Sequence, residues 1–244
     1  MFSRRAIIAL GLAFAALSLG ACAQPEPYRR LEPRGPATEV PLARLVEAYN
    51  NRWPAQFKSS QTVTLDFGPV TRTFSALLIV QRPGRFRLQG MTEQGLKIFD
   101  LARDETGDHV IFKGDEMSDQ AVAQISRDIQ RVFLDGFKGV PSASTRNSCH
   151  RLEGNTPRFT LRANLAALNQ DLLLDRAELH DEAGRLYALD NYEWTADGLR
   201  YPQVIVLHDS GRQSGSYPYK LTLRINELVQ RPAPWPERTF RPER

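Results

Sequence analysis

The chain has 244 residues, with 32 Lys and Arg against 28 Asp and Glu, and it contains two cysteines. So few cysteines exclude a disulfide framework and a cysteine-rich metal site. The arginines are scattered among acids rather than gathered on one segment, so no nucleic-acid partner is expected.

The amino-terminal residues read MFSRRAIIALGLAFAALSLGAC. Arg4 and Arg5 precede an uncharged run from Ala6 to Ala21 that is too short to span a bilayer comfortably and ends in small residues. Residues 1–21 are read as a secretory signal. The last four residues of the stretch, Leu19-Gly20-Ala21-Cys22, resemble the lipobox of bacterial lipoproteins. The resemblance implies a diacylglyceryl thioether on Cys22, cleavage before it and acylation of the new amino terminus. The alternative is an ordinary secretory signal with an incidental cysteine. Ser3-Arg4-Arg5 leaves both general secretory and twin-arginine export open. Removal of Arg4 and Arg5 lowers the 32 basic residues to 30 against 28 acids, a side-chain charge of +2. Lipidation of Cys22 leaves Cys149 as the remaining cysteine. It is read as a small buried hydrophobe, with an intermolecular disulfide as the alternative in an oxidising envelope.

Residues 22–41 combine the lipidated cysteine with a proline-rich stretch that lacks hydrophobic periodicity, read as a tether. Fully extended, it would reach roughly 60 Å. Beyond it, Pro41 starts PLARLVEAYNNRW, where Leu42, Leu45, Val46 and Tyr49 share one helical face over 42–52.

The period then changes from helical to two. Val63, Leu65 and Phe67 alternate with Thr62, Thr64 and Asp66. The next strand, RTFSALLIV, is apolar on both faces. Pro83-Gly84 turns the chain into RFRLQ, and GLKIFDLARD and DHVIF follow. SDQAVAQISRDIQRVFLDGF interrupts this series with Val122, Ile125, Ile129, Val132 and Phe133 at helical spacing, Ser118 as amino-terminal cap and Gly136 as terminator. Strands resume at RFTLR, LLLDRAELHD, RLYALDNYEW, PQVIVLH and PYKLTLRINEL. Residues 231–244 form a proline-rich carboxy-terminal tail or extended edge segment.

Nine or ten strands and two helices, joined by short connections, predict a mainly β (α+β) fold. The sheet is expected to be antiparallel and strongly curled, or an open barrel, because strands apolar on both faces need cover on both sides.

This order of elements resembles the LolA/LolB half-barrel superfamily of lipoprotein carriers and receptors over most of 42–230. The most distinctive piece is IVQRPGRFRLQG, where Arg82, Pro83, Phe86 and Arg87 match an apolar strand, Arg-Pro, a turn and Phe-Arg. The resemblance implies a curled antiparallel half-barrel of about eleven strands, with helices closing a concave side that accommodates acyl chains. The lipobox places the chain nearer the membrane-anchored receptor than the soluble carrier. Ala23, which is not aspartate, fits sorting to the outer membrane, facing the periplasm.

Phe74, Leu78, Phe99, Phe112, Tyr192 and Trp194 are the candidate pocket residues, and Cys22 is the lipid attachment site. An ordinary packed core is the competing role for the former. Asp108-His109, His180-Asp181 and His208-Asp209 are adjacent pairs on strands, so their side chains point to opposite faces and form no ready dyad. Cys149-His150 fails in the same way. No nucleotide loop, zinc spacing or nucleophile elbow occurs. The expectation is therefore a non-enzymatic, lipid-anchored binding protein without cofactor or metal. It would hold acyl chains or another amphiphile in lipid or lipoprotein trafficking, with an envelope protein as a possible partner. An envelope adaptor with a filled core is the alternative, and an envelope hydrolase a further one.

Overall fold

A computed structural model describes residues 26–30, 42–136, 142–146, 149–153, 158–165, 172–180, 186–196, 198–210 and 218–241. Two helices, α1 (Leu42–Asn50) and α2 (Asp119–Ile129), accompany a single antiparallel sheet. Its first five strands are β1 (Gln56–Phe67), β2 (Val70–Gln81), β3 (Arg85–Met91), β4 (Lys97–Asp104) and β5 (Gly107–Lys113). After α2 come β6 (Ser142–Arg146), β7 (Cys149–Glu153), β8 (Arg158–Leu165), β9 (Leu172–His180), β10 (Leu186–Trp194), β11 (Pro202–Asp209) and β12 (Tyr219–Gln230).

The spatial order is β5-β4-β3-β2-β1-β12-β11-β10-β9-β8-β7-β6. Two meanders are thus joined along β1 and β12, with Val63 opposite Leu223 and Leu65 opposite Leu221. The edges β5 and β6 do not pair, so the sheet is not closed. They are nevertheless consecutive in the chain. The connection between them must therefore cross the width of the sheet, and this places α2 over one face.

The twelve strands exceed the sequence-based count because Ser142–Arg146 and Cys149–Glu153 pair as a hairpin although neither alternates. β1 also begins earlier than its apolar pattern indicates. Ser59 and Gln61 point into the interior at 1% exposure each, and the Gln61 amide donates to the Ser59 hydroxyl at 2.8 Å. Inward-facing polar residues conceal a strand from a search for alternation.

Helix α2 starts where expected. The Ser118 hydroxyl accepts from the Ala121 N–H at 3.1 Å, satisfying one amide of the first turn. Its last residues, Gln130–Leu134, widen into a π-helical turn. The chain leaves this turn before Gly136. Asn50, at the end of α1, lies so close that a Cβ on Gly136 would sit 2.7 Å from its Oδ1.

The two faces of the sheet differ. Beneath the helices, Phe57, Leu78, Phe86, Leu88, Leu207 and Leu223 form one core with Val46, Trp53 and Phe133. Burial of each such side chain contributes about 1.5–3 kcal/mol. The opposite, convex face buries charge. Asp100 is fully buried, gripped by both guanidinium arms of Arg87 at 3.0 Å, by the Gln89 amide at 2.7 Å and by Lys97 at 3.2 Å. Burial opposes its ionisation, but these hydrogen bonds together hold its carboxyl below the usual range.

Both proline-rich ends return to this convex face. The Arg231 N–H donates to the Gln56 carbonyl, Arg87 donates to the Thr239 carbonyl, and Phe240 is 1% exposed. Near the other terminus, Tyr28 and Arg30 lie over Tyr192 and Asp190.

Candidate ligand-binding site

The concave face is closed by α1, α2 and the π-turn, which pack on it through Val46, Tyr49, Val122, Ile129, Val132 and Phe133. Arg52, just after α1, donates to the carbonyls of Tyr49 at 2.7 Å, Asp135 at 2.9 Å, Val132 at 3.2 Å and Arg131 at 3.3 Å. One guanidinium thus serves carbonyls left over at the ends of both helices, where positive charge is also favoured by the helix dipoles. The Trp53 indole N–H donates to the Val132 carbonyl at 2.8 Å.

Below α2 lies a buried ionic group. Asp128 accepts from the Tyr219 hydroxyl, which is 2.7 Å from each carboxylate oxygen, and from the Gln124 amide at 2.9 Å. Arg131 reaches Asp209 at 2.9 Å and Asp128 at 3.3 Å, and its guanidinium stacks 4.2 Å from the Tyr187 ring centre. Burial pushes the Asp128 carboxyl up to about 6, against the lowering effects of the Tyr219 hydroxyl and Arg131. Burial likewise raises the Tyr219 phenol, and neighbouring Asp128 adds to the shift.

The apolar lining is aromatic. Trp53, Phe57 and Phe133 form a trio with ring centres 5.0–5.9 Å apart. Phe74 and Phe99 meet edge to face at 5.7 Å. Where α1 and the π-turn approach β9–β11, a cleft lined by Tyr49, Trp53, Val132, Leu189, Trp194 and Ile205 has a cavity volume of about 10 Å³. That is room for about one water, so here the helices are packed down on the sheet. A wider, open cleft of about 410 Å³ lies at the β1–β2-turn end, beside Asp66, Arg176, His208 and Lys220.

The sequence-derived candidates divide among these places. Phe74, Leu78 and Phe99 come together on the concave face. Trp194 reaches the small cleft, and its indole nitrogen is buried without a hydrogen-bond partner among the described residues. Strict alternation would put it on the same face as Tyr192. Between them, Glu193 adopts a left-handed backbone (φ 50°), which breaks the alternation. Tyr192 packs on the convex face with Val204 and Val206. Phe112 is exposed on edge strand β5, outside the apolar lining. Cys22 lies outside the described residues.

Trp53, Phe57 and Phe133 were not among those candidates. Phe57 precedes any visible alternation, and Trp53 and Phe133 fall at helix ends, where periodicity does not say what a side chain meets.

Two of the adjacent His–Asp pairs, Asp108-His109 and His208-Asp209, split across the sheet. His109 Nε2 lies 3.0 Å from Asp104, while Asp108 binds Arg103 and Ser126. His208 faces Asp190 at 3.6 Å on the convex side, and Asp209 meets Arg131 on the other. The side chains of His150 and His180 lie outside the described residues.

A LolA superfamily protein from Nitrosomonas europaea superposes on this chain with a TM-score of 0.52 at 11% identity, covering 83% of this chain and 98% of that one. The chain has a LolA-like fold. Two further solved structures are similar at lower TM-scores. One is a domain described as an outer membrane lipoprotein-sorting protein from Vibrio parahaemolyticus, with TM-score 0.44, 8% identity, and 82% and 94% of the two chains covered. The other is a DUF1329 family protein from Desulfovibrio piger, with 0.41, 12%, and 82% and 95%. No protein-family model matches the sequence, and no curated protein matches it significantly. Among the described residues no helix is long and apolar enough to cross a membrane.

Proposed function

We propose that this chain is a non-enzymatic binding protein of the bacterial envelope, anchored by lipid on Cys22 at the periplasmic side of the outer membrane. It takes up acyl chains or a similar amphiphile between its sheet and its helices. The observation that carries this reading is the cover of the concave face. An apolar surface built from many strands is closed by two short helices and the π-turn, which pack on it through Val46, Val122, Val132 and Phe133 and are tied down by Arg52, Trp53, Ser126 and the buried group of Asp128, Arg131 and Asp209. Displacing these helices exposes a continuous apolar trough, whereas no displaceable element covers the inner side of a closed small barrel.

Phe74, Leu78, Phe99 and Trp194 are the proposed ligand contacts, and the indole N–H of Trp194 is available to a ligand oxygen. The mature domain without Cys22, exported behind an ordinary cleavable secretory signal and purified from the periplasm without detergent, is expected to retain extractable lipid and to bind a fluorescent fatty acid. Phe74→Ala and Trp194→Ala should weaken that binding, while Tyr192→Phe, on the convex face, should leave it unchanged. Absence of any bound or exchangeable amphiphile would sink the carrier reading.

The cavity of about 10 Å³ favours a second reading, an envelope adaptor whose interior is permanently filled. The same experiment separates the two, since an adaptor neither retains nor exchanges lipid.

A further inference from the structure

Residues 26–30 belong to the stretch read as a tether, yet they make specific contacts along the convex face of β10–β12. Arg30 donates to Asp190 at 2.9 Å and to the Tyr192 hydroxyl at 2.8 Å. The Arg29 carbonyl accepts from the Glu193 N–H at 3.0 Å. The Tyr28 ring lies 5.6 Å from that of Tyr192, with the Arg224 guanidinium 5.6 Å from its own centre. Glu26 pairs with Lys220 at 3.4 Å, and Lys220 also meets Asp66 at 3.6 Å. Asp190 is 1% exposed, so the pairing with Arg30 offsets part of the cost of a buried carboxylate.

These contacts have a direction. Tyr192, Val204 and Arg224 stand in one row across the strands, and His208, Lys220 and Asp66 stand in another, closer to the β1–β2 turn. Going from residue 30 back to residue 26, the chain moves from the first row to the second. It therefore leaves the sheet at the β1–β2 turn. From Glu26 to Cys22 are four steps of the chain, at most about 14 Å.

Accepting the lipid on Cys22 from the proposed function, we propose that residues 26–30 are a strap that shortens the tether and holds the β1–β2-turn end of the sheet against the bilayer carrying that lipid. The exposed groups at this end fit an interfacial contact. Phe67 and Val70 are 41% and 47% exposed, and Arg72, on β2 opposite Leu65, is exposed beside them. Apolar side chains beside an arginine suit an anionic lipid surface.

The test uses the full-length lipidated protein in vesicles of phosphatidylethanolamine and phosphatidylglycerol, with Cys149→Ser and one fluorophore introduced at Val70→Cys or Gly84→Cys. Gly84 lies at the opposite end, where an added side chain meets open space. Strand β1 is twelve residues long, so the ends are about 36 Å apart. Energy transfer to headgroup-labelled lipid should be several-fold greater from position 70 than from 84. Arg30→Glu should collapse the difference. Equal transfer from both positions in the otherwise unaltered strap, or an undiminished difference in Arg30→Glu, overturns the proposal. Intact mass of the same preparation reads the lipid on Cys22 directly. An unlipidated Cys22 overturns the anchor and the strap proposal together, whereas a lipidated protein with equal transfer overturns the strap alone.

Discussion

Tyr219 on β12 and Asp128 on α2 share one buried hydrogen bond, the hydroxyl lying 2.7 Å from each carboxylate oxygen. Burial raises Asp128 from 3.8 to about 6, so the native state binds this proton more tightly than the unfolded chain does. The stability it contributes is complete below the unfolded value and is lost as pH rises through about 6. Asp128→Asn keeps an acceptor for Tyr219 but cannot titrate. Relative to wild type, this variant should therefore gain stability between pH 4 and pH 7, by on the order of 2 kcal/mol. Urea denaturation of both proteins across that range checks it, and a difference that does not change with pH contradicts it.

Gly90 on β3 faces Phe99 on β4. A Cβ at Gly90 would lie 2.3 Å from Cε1 of that ring, which is 1% exposed and has nowhere to retreat. Gly90→Ala should cost roughly 1–3 kcal/mol through overpacking. Adding Phe99→Leu should return part of that loss, because the side chain that blocks the methyl is shortened. Denaturation midpoints of the single and double variants decide this. Equal loss in both would mean that the clash is relieved elsewhere.

Arg52 is predicted to fix α1 and the π-turn without affecting the sheet. Its donors serve four carbonyls, so Arg52→Gln removes most of the bonds by which this side chain joins the two helix ends. Hydrogen exchange should speed up in residues 42–50 and 130–134 by roughly tenfold or more, corresponding to 1–3 kcal/mol of lost local stability. Amides in β1 and β12 should keep their protection. Uniform loss across the sheet would show that the arginine supports the whole domain rather than its cover.

Cys22 is expected to be the first residue of the mature protein, carrying two acyl chains on sulfur and a third on its amine. Each buried methylene contributes about 0.8 kcal/mol, so two or more chains anchor stably where one does not. Cys22→Ser should abolish lipid labelling and leave the precursor uncleaved or cut by another peptidase. Mass spectrometry of the amino-terminal peptide reads the result. A free thiol at Cys22, or a mature start elsewhere, contradicts the anchor, and recovery of the lipidated protein only in inner membranes contradicts the sorting alone.

Local pattern in the sequence was enough for the nine or ten strands marked by alternation or by apolar runs, for the two helices and for the Ser118 cap. These features depend on neighbours within a few residues, which the chain order itself supplies. Alternation also determined that His208 and Asp209 part company, since successive side chains on a strand point to opposite faces. The polar hairpin Ser142–Arg146 with Cys149–Glu153 left no such mark, because its strands are defined by pairing rather than by burial pattern. Which aromatics meet was decided only by the tertiary structure. Phe74 and Phe99 touch because β2 and β4 flank β3, and Trp53 joins Phe57 and Phe133 because α2 must cross the sheet between its two edges. Tyr192 and Trp194 look equivalent in sequence and lie in different environments, because the left-handed turn of the backbone at Glu193 separates them. The same holds for residues 26–30. Their composition reads as tether, and only the fold places Asp190 and Tyr192 where Arg30 can reach them, because a contact between residues 160 positions apart has no local signature.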